Sequence, residues 1–241
     1  MIVTVITICY NEIKFVPFFL SYWSHIADVI VCYDGKSTDG TREELARWPR
    51  VEIVDGFQGG LFDDAINMQI KSTAYKSRQS DWFIVCDFDE LIFHPDGVRT
   101  ALERHEVLGA TVALPCEAWH MIADDYPDPA RPITEQVRQG VRDRNYDKTL
   151  AFKSCAQIRY GAGAHDCQFD GCVVRPPNVP RFHLLHYKFL GEAYVREKIE
   201  RCVLSENNRR MKWGYFEQRI ESRLTWMDSY HEGMAKRVQV I

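Results

Sequence analysis

The apolar run Trp82-Phe83-Ile84-Val85-Cys86 ends in three carboxylates, Asp87, Asp89 and Glu90. Such a run reads as a buried strand, and carboxylates at its end are costly to bury unless they are paired or bound to a cation. On a continuing strand Asp87 and Asp89 point to the same face, because side chains alternate. Two hard oxygen donors side by side suit Mg²⁺ or Mn²⁺, which take one or two protein carboxylates and draw their other ligands from water and phosphates. The plainer alternative is an acidic solvated turn, since turns favour Asp.

The elements that would position these groups follow from periodicity. Residues 2–9 are β-branched and read as a central parallel strand, followed by Tyr10-Asn11-Glu12 and an apolar helix to Trp23. Residues 28–33 form a second strand, which ends in Asp34-Gly35-Lys36-Ser37-Thr38-Asp39-Gly40-Thr41, a stretch of turn formers and helix caps. A helix from about Thr41 to Trp48, a strand over 51–54 and a helix over 62–78 lead to the strand at 82–86. The last helix carries Phe62, Ala65, Ile66, Gln69, Ile70 and Thr73 on one face. Strand–helix alternation predicts an α/β fold with a mostly parallel central sheet flanked by helices. Ligands bind such sheets at the carboxyl ends of the strands, where the clusters at 10–12, 34–41 and 87–90 all fall.

Beyond residue 95 the pattern loosens. A helix is expected over 97–107 and a strand over 111–116. Residues 120–148 read as a long loop, followed by a small antiparallel hairpin of 149–153 with 156–160. Residues 182–189 are a further strand, bearing His183, His186 and Lys188, and the C-terminal helices cover 192–207 and 215–237. Phe216, Ile220, Leu224, Met227, Tyr230 and Met234 share a face of the last helix, expected to pack on the body, with a homodimer or contact with a membrane surface as the alternative.

The 241 residues fit one domain, and a net charge of −4 excludes the basic footprint of a generic nucleic-acid binder. No apolar run approaches a membrane span, and the first strand begins at residue 2, so neither a transmembrane segment nor a signal peptide is expected. Cys9, Cys32, Cys86 and Cys116 lie in apolar runs, as buried free thiols do, which points to a reducing, cytoplasmic setting. Cys155, Cys167, Cys172, Cys202 and His165 lack the paired spacing of a zinc knuckle.

Thr7-Ile8-Cys9-Tyr10-Asn11-Glu12, Asp34 through Thr41, and Asp87-Phe88-Asp89-Glu90 resemble, in this order, the signatures of family-2-like glycosyltransferases with the GT-A fold. His186-Tyr187-Lys188 is similar to the His-Tyr element of one branch of them. The resemblance covers residues 1–95 well and 150–200 loosely. It implies a single GT-A-like domain over 1–241, with a nucleotide-sugar-binding half at 1–95 and an acceptor half at 96–241. It also implies a nucleoside-diphosphate sugar as donor, a UDP-sugar first, and Mn²⁺ or Mg²⁺ as cofactor. By the same resemblance Asp34 meets the nucleobase or ribose, and Thr7, Cys9, Asn11 and Glu12 line the nucleoside pocket. Lys36 stands where a small residue is common, Asn67 takes a pocket role, and Asp87 lies near the ribose or the metal. Asp89 is the metal ligand, and His186 contacts metal or diphosphate.

A diphosphate leaving group gathers negative charge, which a divalent cation or nearby Lys153, Lys188 or the arginines of 131–144 would neutralise. An inverting transfer then needs a base for the acceptor proton. Asp166, in the Gly-rich turn, is the first candidate, and Glu117 the second, with Asp124 and Asp125 behind. His165 is expected to share that role or to bind the acceptor. The acceptor stays open between glycan, protein, small molecule and modified DNA. A nucleotidyltransferase is disfavoured because residues 9–12 carry neither Gly nor a basic side chain, and a non-catalytic nucleotide-binding domain because all three carboxylates are kept.

Overall fold

The computed structural model describes residues 1–57, 61–108, 112–170, 181–211, 213 and 222–241. Strands β1 (Val3–Cys9), β2 (Val29–Asp34), β3 (Val51–Asp55) and β4 (Trp82–Asp87) run parallel in the order β3-β2-β1-β4. Helices α1 (Val16–Trp23), α2 (Thr41–Leu45) and α3 (Asp64–Thr73) connect them. Alternation along the strands feeds two cores. Val3, Val5, Trp82, Ile84 and Cys86 pack with Phe18, Phe19 and Trp23 of α1, while Ile6, Phe83 and Val85 pack with Ile70 of α3 and with Tyr75. Both faces are therefore covered, which is why these strands read as continuous apolar runs. Each fully buried large side chain contributes about 1.5–3 kcal/mol.

The second half extends the same sheet. Its elements are β5 (Glu90–Phe93), α4 (Val98–Leu108), β6 (Ala113–Ala123), α5 (Ile133–Gln136), β7 (Gln139–Arg142) and β8 (Lys148–Lys153). Then follow β9 (Gln157–Tyr160), β10 (Cys167–Asp170), β11 (Phe182–Leu190), α6 (Glu192–Arg201), α7 (Glu206–Met211), α8 (Ser222–Lys236) and β12 (Val238–Gln239). Among the described residues ten strands make one mixed sheet, in which β8 lies antiparallel between β4 and β6, and β11 pairs with both β5 and β6. This is the α/β architecture expected, with three local corrections. The stretch 120–148 is no bare loop, because β6 runs on to Ala123 and β7 pairs back onto it. The small hairpin is β9 with β10, since β8 is drawn into the main sheet. The helix expected over 192–207 stops at Arg201 and resumes at Glu206. On α8, Met227 and Tyr230 are buried against Ile122, Phe189, Val195 and Ile199, so this stretch packs on the body. Phe216, Ile220, the Leu224 side chain and Cys172 lie outside the described residues.

Candidate functional site

A cleft of about 1160 Å³ opens at the carboxyl ends of β1 and β4. Ile8, Cys9, Tyr10 and the Asp87-Phe88-Asp89 turn form one side of its lining. Asn67, the turn before β10, His120, Asp143, Lys198 and Arg201 complete it. Ligand pockets commonly fall near 300–1,000 Å³, so two small reactants fit here together.

Lysines hold the first part of the acidic motif. Lys71 of α3 donates to Asp87 at 2.5 Å, and Lys148 donates to Asp87 at 3.1 Å and to Glu90 at 2.6 Å. Glu90 also accepts from the Asp87 peptide N–H at 2.9 Å. Burial would lower Lys148, but Asp87 and Glu90 outweigh it and push its ammonium well up. Burial would raise Asp87, yet Lys148 and Lys71 hold it below the usual carboxylate range. Strand direction explains which lysine arrives. Because β8 runs antiparallel to β4, its first residue Lys148 comes level with Asp87, while its last residue Lys153 sits opposite Trp82 at the far end. Lys153, expected at the donor site, instead pairs with Glu106 at 3.2 Å.

The second part is a chain of four groups. Asp89 Oδ2 receives Lys198 Nζ at 2.5 Å and lies 3.4 Å from His186 Nε2. His186 Nδ1 meets His120 Nδ1 at 3.1 Å, and His120 Nε2 meets Asp143 Oδ2 at 3.0 Å. Burial pushes His186 down to about 3 and also lowers His120, so both rings are neutral at pH 7. His186 thus has Nε2 toward the Asp89 carboxylate and Nδ1 toward His120, whose Nε2 faces Asp143. Burial would raise Asp89, but Lys198 and His186 hold it well below the usual carboxylate range.

That facing pair is the test of fit for a divalent cation. Among the described residues no three carboxylate, imidazole or thiol groups converge on one point. Mg²⁺ and Mn²⁺ in nucleotide sites need only one or two protein ligands beside phosphates and water. Asp89 with His186 meets that requirement, and His120 and Asp143 supply the outer hydrogen bonds that orient a ligating imidazole. Asp87, expected as a second metal carboxylate, has both oxygens taken by lysines.

The N-terminal motifs frame the cleft. Asn11, with φ of 53°, accepts from Thr38 N–H at 2.8 Å, and its own N–H goes to Ser37 Oγ at 2.9 Å. Glu12 pairs with Arg201 at 2.9 Å and lines the cleft, as do Cys9 and Asn67. Asp34 is fully buried behind Cys9; it accepts from Ser37 Oγ at 2.6 Å and Arg42 at 3.2 Å, and so braces the turn. Thr7 is buried within the sheet and Lys36 is exposed with φ of 59°; neither is among the cleft-lining residues. Phe57, which no sequence pattern singled out, lines the cleft and covers Gly35, where an added Cβ would run into its ring.

Neither expected base lines the cleft. Glu117 pairs with Arg181 at 2.5 Å, and Asp166 is exposed, its carbonyl closing the turn onto Gly161 N–H. Lys71, Lys198, Arg201, His120 and Asp143 were not expected as parts of the acidic site. They arrive from helices and strands distant in sequence, and only the Glu, Arg and Lys content of α6 hinted at any of them.

No protein-family profile matches the chain, and neither does any curated protein. Among solved structures it is similar to S. aureus TarS, at 14% identity over 64% of this chain and 28% of that one, with a TM-score of 0.40. It is also similar to mannosyl-3-phosphoglycerate synthase from Rubrobacter xylanophilus, at 17% identity over 51% of this chain and 41% of that one, with a TM-score of 0.36. A third is 4-diphosphocytidyl-2C-methyl-D-erythritol synthase from Anaerococcus prevotii, at 13% identity over 64% and 71%, with a TM-score of 0.35. The chain thus spans under a third of TarS and well under half of the mannosyl synthase. Likenesses this distant carry no activity across to this chain. Among the described residues no helix is long and apolar enough to cross a membrane.

Proposed function

We propose that this protein is a glycosyltransferase that moves a sugar from a nucleoside-diphosphate sugar, a UDP-sugar first, to an acceptor hydroxyl with inversion at the anomeric carbon. The observation that carries the reading is His186 Nε2 lying 3.4 Å from the Asp89 carboxylate inside the cleft. A carboxylate and an imidazole side by side are a ligand pair that Mn²⁺ or Mg²⁺ would take together with a diphosphate, with Lys198 moving from Asp89 to the phosphates. When bound, the cation supplies Lewis-acid neutralisation of the leaving diphosphate.

The chain's own residues take the remaining tasks. Cys9, Glu12, Asn67 and the Phe57 ring line the nucleoside end, with Asn11, Asp34 and the Ser37 turn as the frame behind them. Lys71 and Lys148 fix the Asp87 carboxylate near the sugar. Lys198 and Arg201, tethered by Asp89 and Glu12, are the cations nearest the diphosphate. Trp213 lines the same cleft and offers a ring for the acceptor. Calorimetric titration with UDP tests the reading. Binding that needs Mn²⁺ and is lost with EDTA supports it; UDP binding unaffected by EDTA, or no binding of any nucleoside diphosphate, contradicts it.

A further inference from the structure

Nine carboxylates and imidazoles line the cleft: Glu12, Asp64, Asp87, Asp89, Asp143, Glu232, His120, His165 and His186. Eight are already engaged. Glu12 is held by Arg201, Asp64 by Asn208, Asp87 by two lysines, Asp89 by Lys198, Asp143 by His120 and Glu232 by Lys236. His120 and His186 hold each other. Of these nine, only the exposed His165 has no hydrogen-bond partner among the described residues, its one ring contact being the edge of Tyr146 at 4.6 Å.

The chain holds that ring in place at a cost. The turn before it uses φ of 66° at Gly163 and 58° at Ala164, and a left-handed non-glycine residue costs of order 1–3 kcal/mol. A Cβ on Gly163 would lie 2.6 Å from the His165 ring, so only glycine lets the imidazole fold back there. Gly163 N–H is anchored on Asp64 at 3.2 Å, and Asp64 is clasped by Asn208 Nδ2 at 3.0 Å. Tyr146 also stacks on His186 at 4.6 Å. His165 and His186 therefore both touch one ring, and their ring centres lie no more than about 9 Å apart. Both histidines line the same cleft, so a base at His165 lies within one reactant's length of the site that would hold the diphosphate.

We propose that His165 is the general base of the transfer, its free ring nitrogen taking the proton of the acceptor hydroxyl. The inference rests on the transferase reading. As the acceptor oxygen bonds to the anomeric carbon, the bond from that carbon to the diphosphate breaks. Its electron pair leaves with the diphosphate and the proton ends on the imidazole. Partial burial, with Lys148 and Lys71 nearby and opposed by Asp87 and Asp143, pushes His165 down to about 4. The ring is then neutral at pH 7 and has the basicity of a carboxylate base.

The test uses donor hydrolysis, with water in place of the acceptor and UDP-glucose, UDP-N-acetylglucosamine and GDP-mannose as probes. His165→Gln should lower kcat about 10²- to 10⁴-fold, the usual worth of a positioned base, with donor KM within about threefold of wild type. Added imidazole should restore turnover to His165→Gly, which a merely structural histidine would not allow. Turnover of His165→Gln within threefold of wild type, or a rise in KM at unchanged kcat, overturns the assignment while leaving the transferase intact. No release of nucleotide by wild type from any probe overturns the transferase reading, and this assignment with it.

Discussion

Removing the Lys148 ammonium should destabilise the fold strongly, and the loss should have a particular pH signature. Lys148 is fully buried and bridges Asp87 at 3.1 Å and Glu90 at 2.6 Å, and Glu90 is itself fully buried. Lys148→Met keeps length and apolar bulk but strands a buried carboxylate. Breaking a buried pair in this way costs about 3–5 kcal/mol. In a chain of this size each kcal/mol moves Tm by about 2–4 °C, so a fall of about 6–20 °C is expected by scanning calorimetry. Burial and the Asp87 charge already push Glu90 up, and without the lysine it rises further. A carboxyl raised above its unfolded value of ~4.3 favours the folded state below that value, and the benefit is lost as pH rises through the folded pKa. The deficit of Lys148→Met against wild type should therefore shrink between pH 8 and pH 5. Lys148→Met with Glu90→Gln should recover most of the loss, because Lys71 still holds Asp87. A deficit under about 1 kcal/mol, or one that grows on acidification, refutes the reasoning.

Three further outcomes follow. His120→Phe removes the hydrogen bond that orients His186 and should weaken Mn²⁺ binding 10- to 100-fold, measured by titration in the presence of UDP. His186, pushed down to about 3 by burial, binds its proton less tightly folded than unfolded. Its contribution is present above ~6.5 and is lost as pH falls toward 3, at up to about 1.4 kcal/mol per unit, so wild type should lose more stability than His186→Phe on acidification from pH 7 to 4. Gly35→Ala places a Cβ against the Phe57 ring and should displace it. Base stacking on an aromatic ring is worth ~1–3 kcal/mol, so UDP affinity should fall roughly 5- to 150-fold by calorimetry.

The centre of the parallel half was legible because both its faces are covered, which writes β1 as a β-branched run from Val3 to Cys9 and β4 as an apolar run from Trp82 to Cys86. The carboxyl-end placement of Glu12, Asp87 and Asp89 followed from that alternation alone. What stayed hidden depends on strand direction and long-range pairing. Lys148 and Lys153 end the same short strand, and only the antiparallel register with β4 decides that Lys148 reaches Asp87. His120 and Asp143 lie in a stretch with no periodicity, because β6 and β7 there are mixed in burial and paired with one another. Lys71 and Lys198 look like ordinary solvated helix charges until the fold brings them within 2.5 Å of the motif carboxylates. Asp166 and His165 are neighbours in a turn, and the folded-back ring allowed by Gly163 places His165 in the cleft lining.

The most direct test of the central claim is nucleotide release from a panel of UDP-, GDP-, CDP- and dTDP-sugars, with Mn²⁺ or EDTA, beside Asp89→Asn. The account predicts release of one nucleoside diphosphate, dependent on Mn²⁺ and reduced at least a hundredfold in Asp89→Asn, the scale set by losing the cation that Asp89 would hold against the leaving group. Release that is indifferent to EDTA and to Asp89→Asn, or none from any donor, would contradict it.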